Sequence, residues 1–176
     1  MIISELKKLK LQGELVSIER NCHDEELTGL ISLVNEEIIA MNIYTDDGDF
    51  EGFTVFETGQ ITEVFWGNRE HKAISNLVSK SKIELPVELE SEDFQGTISE
   101  LSKKFGNLCI HEGGNEDKYE IAEIDSMDDE WLKIHTYGIK RSLSRMYKIL
   151  LRDSVSRIVV NSPYQNKIVG LHTEDL

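Results

Sequence analysis

The sequence predicts a mainly β protein with short helices, arranged as two tandem copies of one small domain, each with an N-terminal helix and five antiparallel strands. Three observations carry that prediction. The tetrapeptide Ile3-Ser4-Glu5-Leu6 recurs as Ile98-Ser99-Glu100-Leu101. A shift of 93 positions pairs Gly13 with Gly106, Leu15 with Leu108, Glu19 with Glu112, Ile31 with Ile124, Glu37 with Glu130 and Tyr44 with Tyr137. One inserted residue then gives a shift of 94, which pairs Val64 with Ile158, Phe65 with Val159, Ile74 with Ile168 and Leu77 with Leu171. Within each copy the apolar residues pass from helical spacing to strand alternation and back in the same order, as a duplicated unit requires. The copies are assigned to residues 1–80 and 97–176, with 81–96 as a linker or edge strand.

Each copy opens on a short helix. Ile3, Leu6 and Leu9 in the first, and Ile98, Leu101 and Phe105 in the second, fall at helical spacing. Thr97-Ile98-Ser99-Glu100 has the capping-box spacing, which places a helix start there. Gly13 and Gly106 end the helices, because glycine takes the left-handed conformation that a helix C-terminus needs. In the first copy the strands are Leu15 to Glu19, Leu27 to Val34, Glu37 to Tyr44, Gly52 to Glu57 and Ile61 to Trp66. In the second copy Tyr119 to Met127, Glu130 to Tyr137, Arg145 to Leu151 and Val155 to Val160 continue a first strand that contains Leu108 and Cys109. Asn35-Glu36 and Asp128-Asp129 are tight hairpin turns. Helices over Arg69 to Val78 and Tyr164 to Leu171 close the copies. Between them Ile83, Leu85, Val87 and Leu89 alternate with Glu84, Pro86, Glu88 and Glu90, and Pro86 cannot donate to a strand ladder.

Bulk properties narrow the function classes. A domain of about 85 residues buries only about 60–65% of its unfolded surface, so the halves are expected to pack together or to dimerise. No basic segment followed by a long apolar run marks a signal peptide, and no apolar run reaches membrane-spanning length. Two cysteines, Cys22 and Cys109, are too few for a disulfide framework, so a reduced, cytoplasmic protein is expected. The formal charge is −14, from 33 acids against 19 bases. That field opposes phosphate binding and favours encounter with a basic protein surface.

A short helix followed by five bent antiparallel strands resembles the Sm-like small barrel, and the resemblance covers nearly the whole chain twice. An SH3-like barrel with the same strand count is the near alternative. A single domain whose halves share one sheet is the third. The Sm-like resemblance implies an RNA site made of an Asp and an Asn in the loop between the second and third strands and an Arg-Gly pair after the fourth. The matching turns here are Asn35-Glu36 and Asp128-Asp129, and the matching junctions are Glu57-Thr58-Gly59-Gln60 and Leu151-Arg152-Asp153, without Arg-Gly. Nucleic acid is therefore not expected as a partner.

The candidate chemistry is sparse. Cys22-His23 and Cys109-Ile110-His111 each place a thiol near an imidazole, as a nucleophile pair or a zinc site needs. They lack paired metal-ligand spacing, and Cys22 aligns with Asn115 rather than with Cys109. The acidic turn Asp46-Asp47-Gly48-Asp49 lacks EF-hand spacing. No phosphate-loop, dinucleotide-loop, nucleophile-elbow or zincin motif occurs. The expectation is a protein that is not an enzyme, uses no cofactor and binds a protein partner or itself. Its candidate interaction residues are the dense aromatics Phe50, Phe53 and Trp66 and the basic segment Lys140, Arg141 and Arg145, which would meet the acidic face of the first copy or of a second subunit. The alternatives are an acidic immunity-type inhibitor that covers a basic partner, and a thiol or metal-dependent hydrolase using Cys22, His23, Cys109 or His111.

Overall fold

The computed structural model describes residues 1–21, 23–115, 117–138 and 144–174, with the side chains of residues 23–25, 173 and 174 excepted. The first helix, α1 (Ile2–Gln12), turns Leu6 and Leu9 into the core and ends at Gly13, whose φ of 66° lets its N–H close on the carbonyls of Leu9 and Lys10. Five strands follow: β1 (Leu15–Arg20), β2 (His23–Val34), β3 (Ile38–Tyr44), β4 (Phe50–Glu57) and β5 (Ile61–Trp66), then helix α2 (Arg69–Lys80). The second half repeats this order with α3 (Phe94–Phe105), β6 (Leu108–Glu112), β7 (Tyr119–Met127), β8 (Trp131–Thr136), β9 (Tyr147–Leu151), β10 (Val155–Val160) and α4 (Pro163–Glu174).

The mainly β, antiparallel character agrees with the sequence. The expectation of two separate five-stranded barrels does not. All ten strands form one sheet in the order β5-β1-β2-β3-β4-β10-β6-β7-β8-β9, the shared-sheet arrangement. Each half keeps the same internal order, and β4 joins β10 through Val55↔Ile158, Thr54↔Val159 and Phe53↔Val160. The physical reason is burial. One core gathers Phe53 and Val55 of β4 with Ile98 and Leu101 of α3 and Ile158 and Val160 of β10, so a half of this size completes its interior with side chains from the other. A second core lies under α1 and holds Leu6, Leu9, Val16, Ile18, Met41 and Phe56. Smaller clusters seat α2 on Leu15 and Tyr44, and α4 on Cys109 and Val159.

The internal register differs in part from the one that the sequence shift of 93 implies. Bulges interrupt β2·β3 between Ile31 and Leu33 and β7·β8 between Ile124 and Ser126, in agreement with the shift of 93. In the first strand, however, Val16 faces Gly29 and Leu108 faces Ala122, so Leu108 corresponds to Val16 and not to Leu15. A one-residue slip exchanges the faces of a strand: Leu15 lies beneath α2, whereas Leu108 lies in the core beneath α3. The repeated tetrapeptide is likewise out of register. Ile3 stands ten positions before Gly13 and Ile98 eight before Gly106, and the buried pairs are Leu6/Leu9 and Ile98/Leu101.

Helix α3 also begins earlier than its capping-box spacing suggests. Its N-cap is Asp93, whose Oδ1 accepts from the Gly96 N–H at 2.7 Å. Thr97 is fully buried inside the helix and donates back to the Asp93 carbonyl. Glu100 is thereby freed to accept from the backbone N–H groups of Glu90 and Ser91. The segment 81–92 contains no strand. It is tied down by Glu100, by Asn42 donating to the Glu84 carbonyl at 3.0 Å and by Asn35 donating to the Glu92 carbonyl at 3.1 Å, while Val87 and Leu89 pack on the core.

Candidate functional site

Among the described residues the sheet ends on two edge strands, β5 and β9, and they differ sharply from the strands they correspond to. At the seam β10 is buried along its whole length and β4 along residues 52–56. Their counterparts are not. On β9, Tyr147 is 61% exposed and Ile149 65%, with Leu151 also exposed. These positions correspond to Phe53, Val55 and Glu57, because Asn42 faces Phe53 as His135 faces Tyr147. Cross-strand pairing adds Trp131 opposite Leu151 and Lys133 opposite Ile149, so one face of β8 and β9 carries an apolar, aromatic stripe. A groove of about 600 Å³ runs beside it, lined by Met127, Asp128, Trp131, Lys133 and Ile149.

The stripe is held in shape. The Tyr147 ring lies nearly parallel to His135, with centroids 4.2 Å apart, and the Lys133 ammonium sits 5.2 Å from the same ring. Lys133 in turn meets Asp125 at 2.8 Å, and the carboxylate holds its pKa above the usual lysine value. An exposed strand edge with ordered apolar side chains is a template for pairing with another chain.

The residues predicted for interaction do not converge there. Phe53 is 1% exposed and belongs to the core, so its assignment to an interaction surface is corrected. Phe50 is half-buried, edge-on to Tyr44 in the cluster under α2. Trp66 is exposed at the end of edge strand β5. Lys140 and Arg141 lie outside the described residues. Arg145 is exposed, and its bonds stay within its own half. It donates through Nη2 to Glu123 at 2.9 Å and through Nε to the Thr136 carbonyl, and its guanidinium stacks 4.4 Å from the Tyr137 ring. The Tyr137 hydroxyl donates to the same Glu123 at 2.6 Å. Burial raises the phenol, the adjacent carboxylate raises it further, and it stands at about 12. Lys148 pairs with Glu120. Arg145 and Lys148 thus pair with carboxylates on strand β7 of their own half, contacts that charge alone did not reveal. The β9 stripe was missed because Tyr-Lys-Ile-Leu-Leu is apolar on both faces and reads as a buried strand; its place at the sheet edge is what exposes it.

The turn side chains that the Sm-like resemblance assigns to RNA are occupied. Asn35 Oδ1 accepts from the N–H groups of Glu37 and Ile38 at 2.8 Å, and Asp128 Oδ1 accepts from those of Glu130 and Trp131. The Asp128 carboxyl is lowered by these two backbone bonds. Both residues close their own hairpins.

Nor does the thiol–imidazole pair suit nucleophilic chemistry. Cys109 Sγ lies 3.5 Å from His111 Nε2, at the border of a cleft between the halves that Tyr119, Arg157 and Tyr164 also line. Burial pushes the thiol up to about 12, against the pull of Arg157, so the thiolate that a nucleophile or metal ligand requires is suppressed. Cys22 and the side chain of His23 lie outside the described residues. Among the described residues no three His, Cys, Asp or Glu side chains gather in a metal-binding arrangement, and no helix is long and apolar enough to cross a membrane. No protein-family model, curated protein or solved structure matches this chain.

Proposed function

We propose that this chain is a non-enzymatic protein-binding or scaffold protein built from two duplicated halves of Sm-like strand order that share one sheet, and that it recognises its partner by strand addition at β9. The observation that carries the reading is the exposed stripe of Tyr147, Ile149 and Leu151 on an edge strand, beside the Trp131 groove. Strand addition supplies main-chain hydrogen bonds for affinity, and alternate side chains supply specificity. The same five-strand order in each half, preceded by a helix, supports the Sm-like resemblance. The raised Cys109 thiol supports the non-enzymatic reading.

The test places a photo-crosslinking amino acid at Tyr147, and in a second protein at Ser75 on α2, each expressed in the native host. The reading expects a discrete protein adduct from position 147 and none from 75. Equal adduct patterns at both positions, or none at either, refute it.

The net charge of −14 favours a second reading, an acidic inhibitor that covers a basic partner. It expects an association rate that falls steeply with salt, where β9 addition expects salt to matter little.

A further inference from the structure

The cleft between the halves has the makings of a ligand site apart from β9. Among the described residues it shares no lining side chain with the groove beside that strand. It holds about 570 Å³, within the roughly 300–1,000 Å³ of small-ligand sites, and it lies where two units meet, a common place for them. The first half supplies one wall: Glu26 and Thr28 of β2, Asp46 of the following turn and Glu51 of β4. The second half supplies the other: His111 of β6, Tyr119 of β7, Arg157 of β10 and Tyr164 of α4. We infer that this cleft binds a small zwitterion of the amino-acid or dipeptide kind, its carboxylate toward Arg157 and its ammonium toward Glu26 and Asp46.

The duplication separates these walls from the common scaffold. Arg157 stands opposite His111 across the β10–β6 ladder, and the equivalent positions of the first half are Glu63 opposite Glu19. Two carboxylates that face water on β5 and β1 are thus replaced by a guanidinium and an imidazole, both buried at the seam. Burial of a guanidinium costs desolvation that an apolar residue here would avoid. Glu26 likewise corresponds to Tyr119 at the shift of 93. Each half contributes a wall of different chemistry, so the site exists only where the halves join.

The side chains are positioned for such a ligand. Arg157 and His111 are already engaged within the fold, and a guanidinium, with five N–H donors, can serve a ligand carboxylate as well. The His111 ring stacks on Tyr119 with centroids 5.3 Å apart, and the Tyr119 and Tyr164 side chains are hydrogen-bonded to each other. Burial and that bond raise the Tyr119 phenol to about 12, so it stays neutral. Both tyrosines keep part of their rings exposed, an aromatic surface for the body of the ligand. On the other wall Glu26 and Asp46 are exposed, and the hydroxyls of Ser17 and Thr28 each reach Glu26 Oε1 at 3.4 Å.

Charge selects the ligand class. A simple anion drawn to Arg157 would also face Glu26, Asp46 and Glu51, and a simple cation drawn to those carboxylates would face Arg157. A molecule with both charges on a short apolar body meets each wall with the opposite sign. Hydrogen bonds between ionised groups are the stronger kind, so removing either ligand charge is expected to weaken binding by about tenfold or more.

The test titrates the whole protein with L-phenylalanine and with the dipeptide phenylalanylglycine, followed by calorimetry and ligand-observed NMR. N-acetyl-L-phenylalanine, which lacks the ammonium, and L-phenylalanine amide, which lacks the carboxylate, are the controls. At least one zwitterion is expected to bind with a Kd of about 1 mM or tighter, and both blocked forms about tenfold more weakly. Asp46→Asn and Tyr164→Ala, both at exposed side chains and checked for folding by circular dichroism, are expected to weaken the zwitterion by about fivefold or more. Tyr147→Ala, on β9, is expected to leave it unchanged. Absence of binding by both zwitterions at about 10 mM overturns the proposal, as do blocked forms that bind equally well. Wild-type affinity in both cleft variants, or loss of binding in Tyr147→Ala, overturns the placement of the site. None of these results depends on crosslinking at position 147, so the strand-addition reading stands or falls separately.

Discussion

The fate of Phe53 separates a binding residue from a core residue. Its ring is 1% exposed and sits in the core that joins β4 to α3 and β10. A phenylalanine buries about 150–250 Å², which at about 25 cal/mol per Å² gives about 4–6 kcal/mol. Alanine retains part of that, and truncations of this kind cost about 3–5 kcal/mol. Phe53→Ala is therefore expected to lose about 4 kcal/mol. With a urea dependence of about 2 kcal/mol per molar for a chain of this size, the midpoint falls by about 2 M. The assay is urea unfolding followed in parallel by circular dichroism and tryptophan fluorescence, which reports Trp66 in the first half and Trp131 in the second. Because the core spans both halves, both tryptophans are expected to report one shifted transition. Two separate transitions, with Trp131 unaffected, would refute the shared core. A loss below about 1 kcal/mol, no larger than for Trp66→Ala at the surface, would refute the burial of Phe53 itself.

Three further outcomes follow from single contacts. Burial opposes ionisation of Glu100, but the Glu90 N–H, the Lys104 ammonium and Ser91 together outweigh it and hold the carboxyl at about 2, below its ordinary 4.5. That difference is at most about 3 kcal/mol, and solvent screening leaves about 1–2. Because the folded pKa is the depressed one, the contribution is complete above about pH 4.5 and fades as pH falls toward 2. Glu100→Gln should thus lose stability at pH 7 and converge with the wild type near pH 2, and a constant gap across that range would show the ion is not the cause. Gly29→Ala would set a Cβ 2.0 Å from the Asn42 carbonyl oxygen on the neighbouring strand; a loss of about 3 kcal/mol is expected, and a stability equal to wild type would contradict the close approach. In a Cys22→Ser background, Cys109 should react with a thiol reagent at pH 8 only as fast as the protein unfolds, since its thiol stands near 12; rapid labelling of the folded protein would contradict that value.

Local patterns made the elements legible. Gly13 and Gly106 marked helix ends because a left-handed cap requires them, and Asn35 and Asp128 marked turns because their side chains close hairpins. Alternation left the linker open between an edge strand and an extended connection. Ile83 to Leu89 has the periodicity of a strand, yet the segment is held by side-chain bonds from Asn42 and Glu100 and makes no ladder. The candidate site was less legible still: Phe53 and Tyr147 occupy equivalent positions in equivalent strands, one in the core and the other 61% exposed.

By itself, the sequence determined the inventory of the described residues: ten strands, four α-helices, their order and the duplication that spaces them, all consequences of short-range periodicity and turn chemistry. Tertiary structure decided which strands meet. Backbone edges carry the same donors and acceptors whatever the side chains, so sequence does not say whether β4 closes its own half or joins β10. That one pairing made a single sheet of two predicted barrels and buried Phe53. It also left β5 and β9 as the open ends on which the proposed function rests.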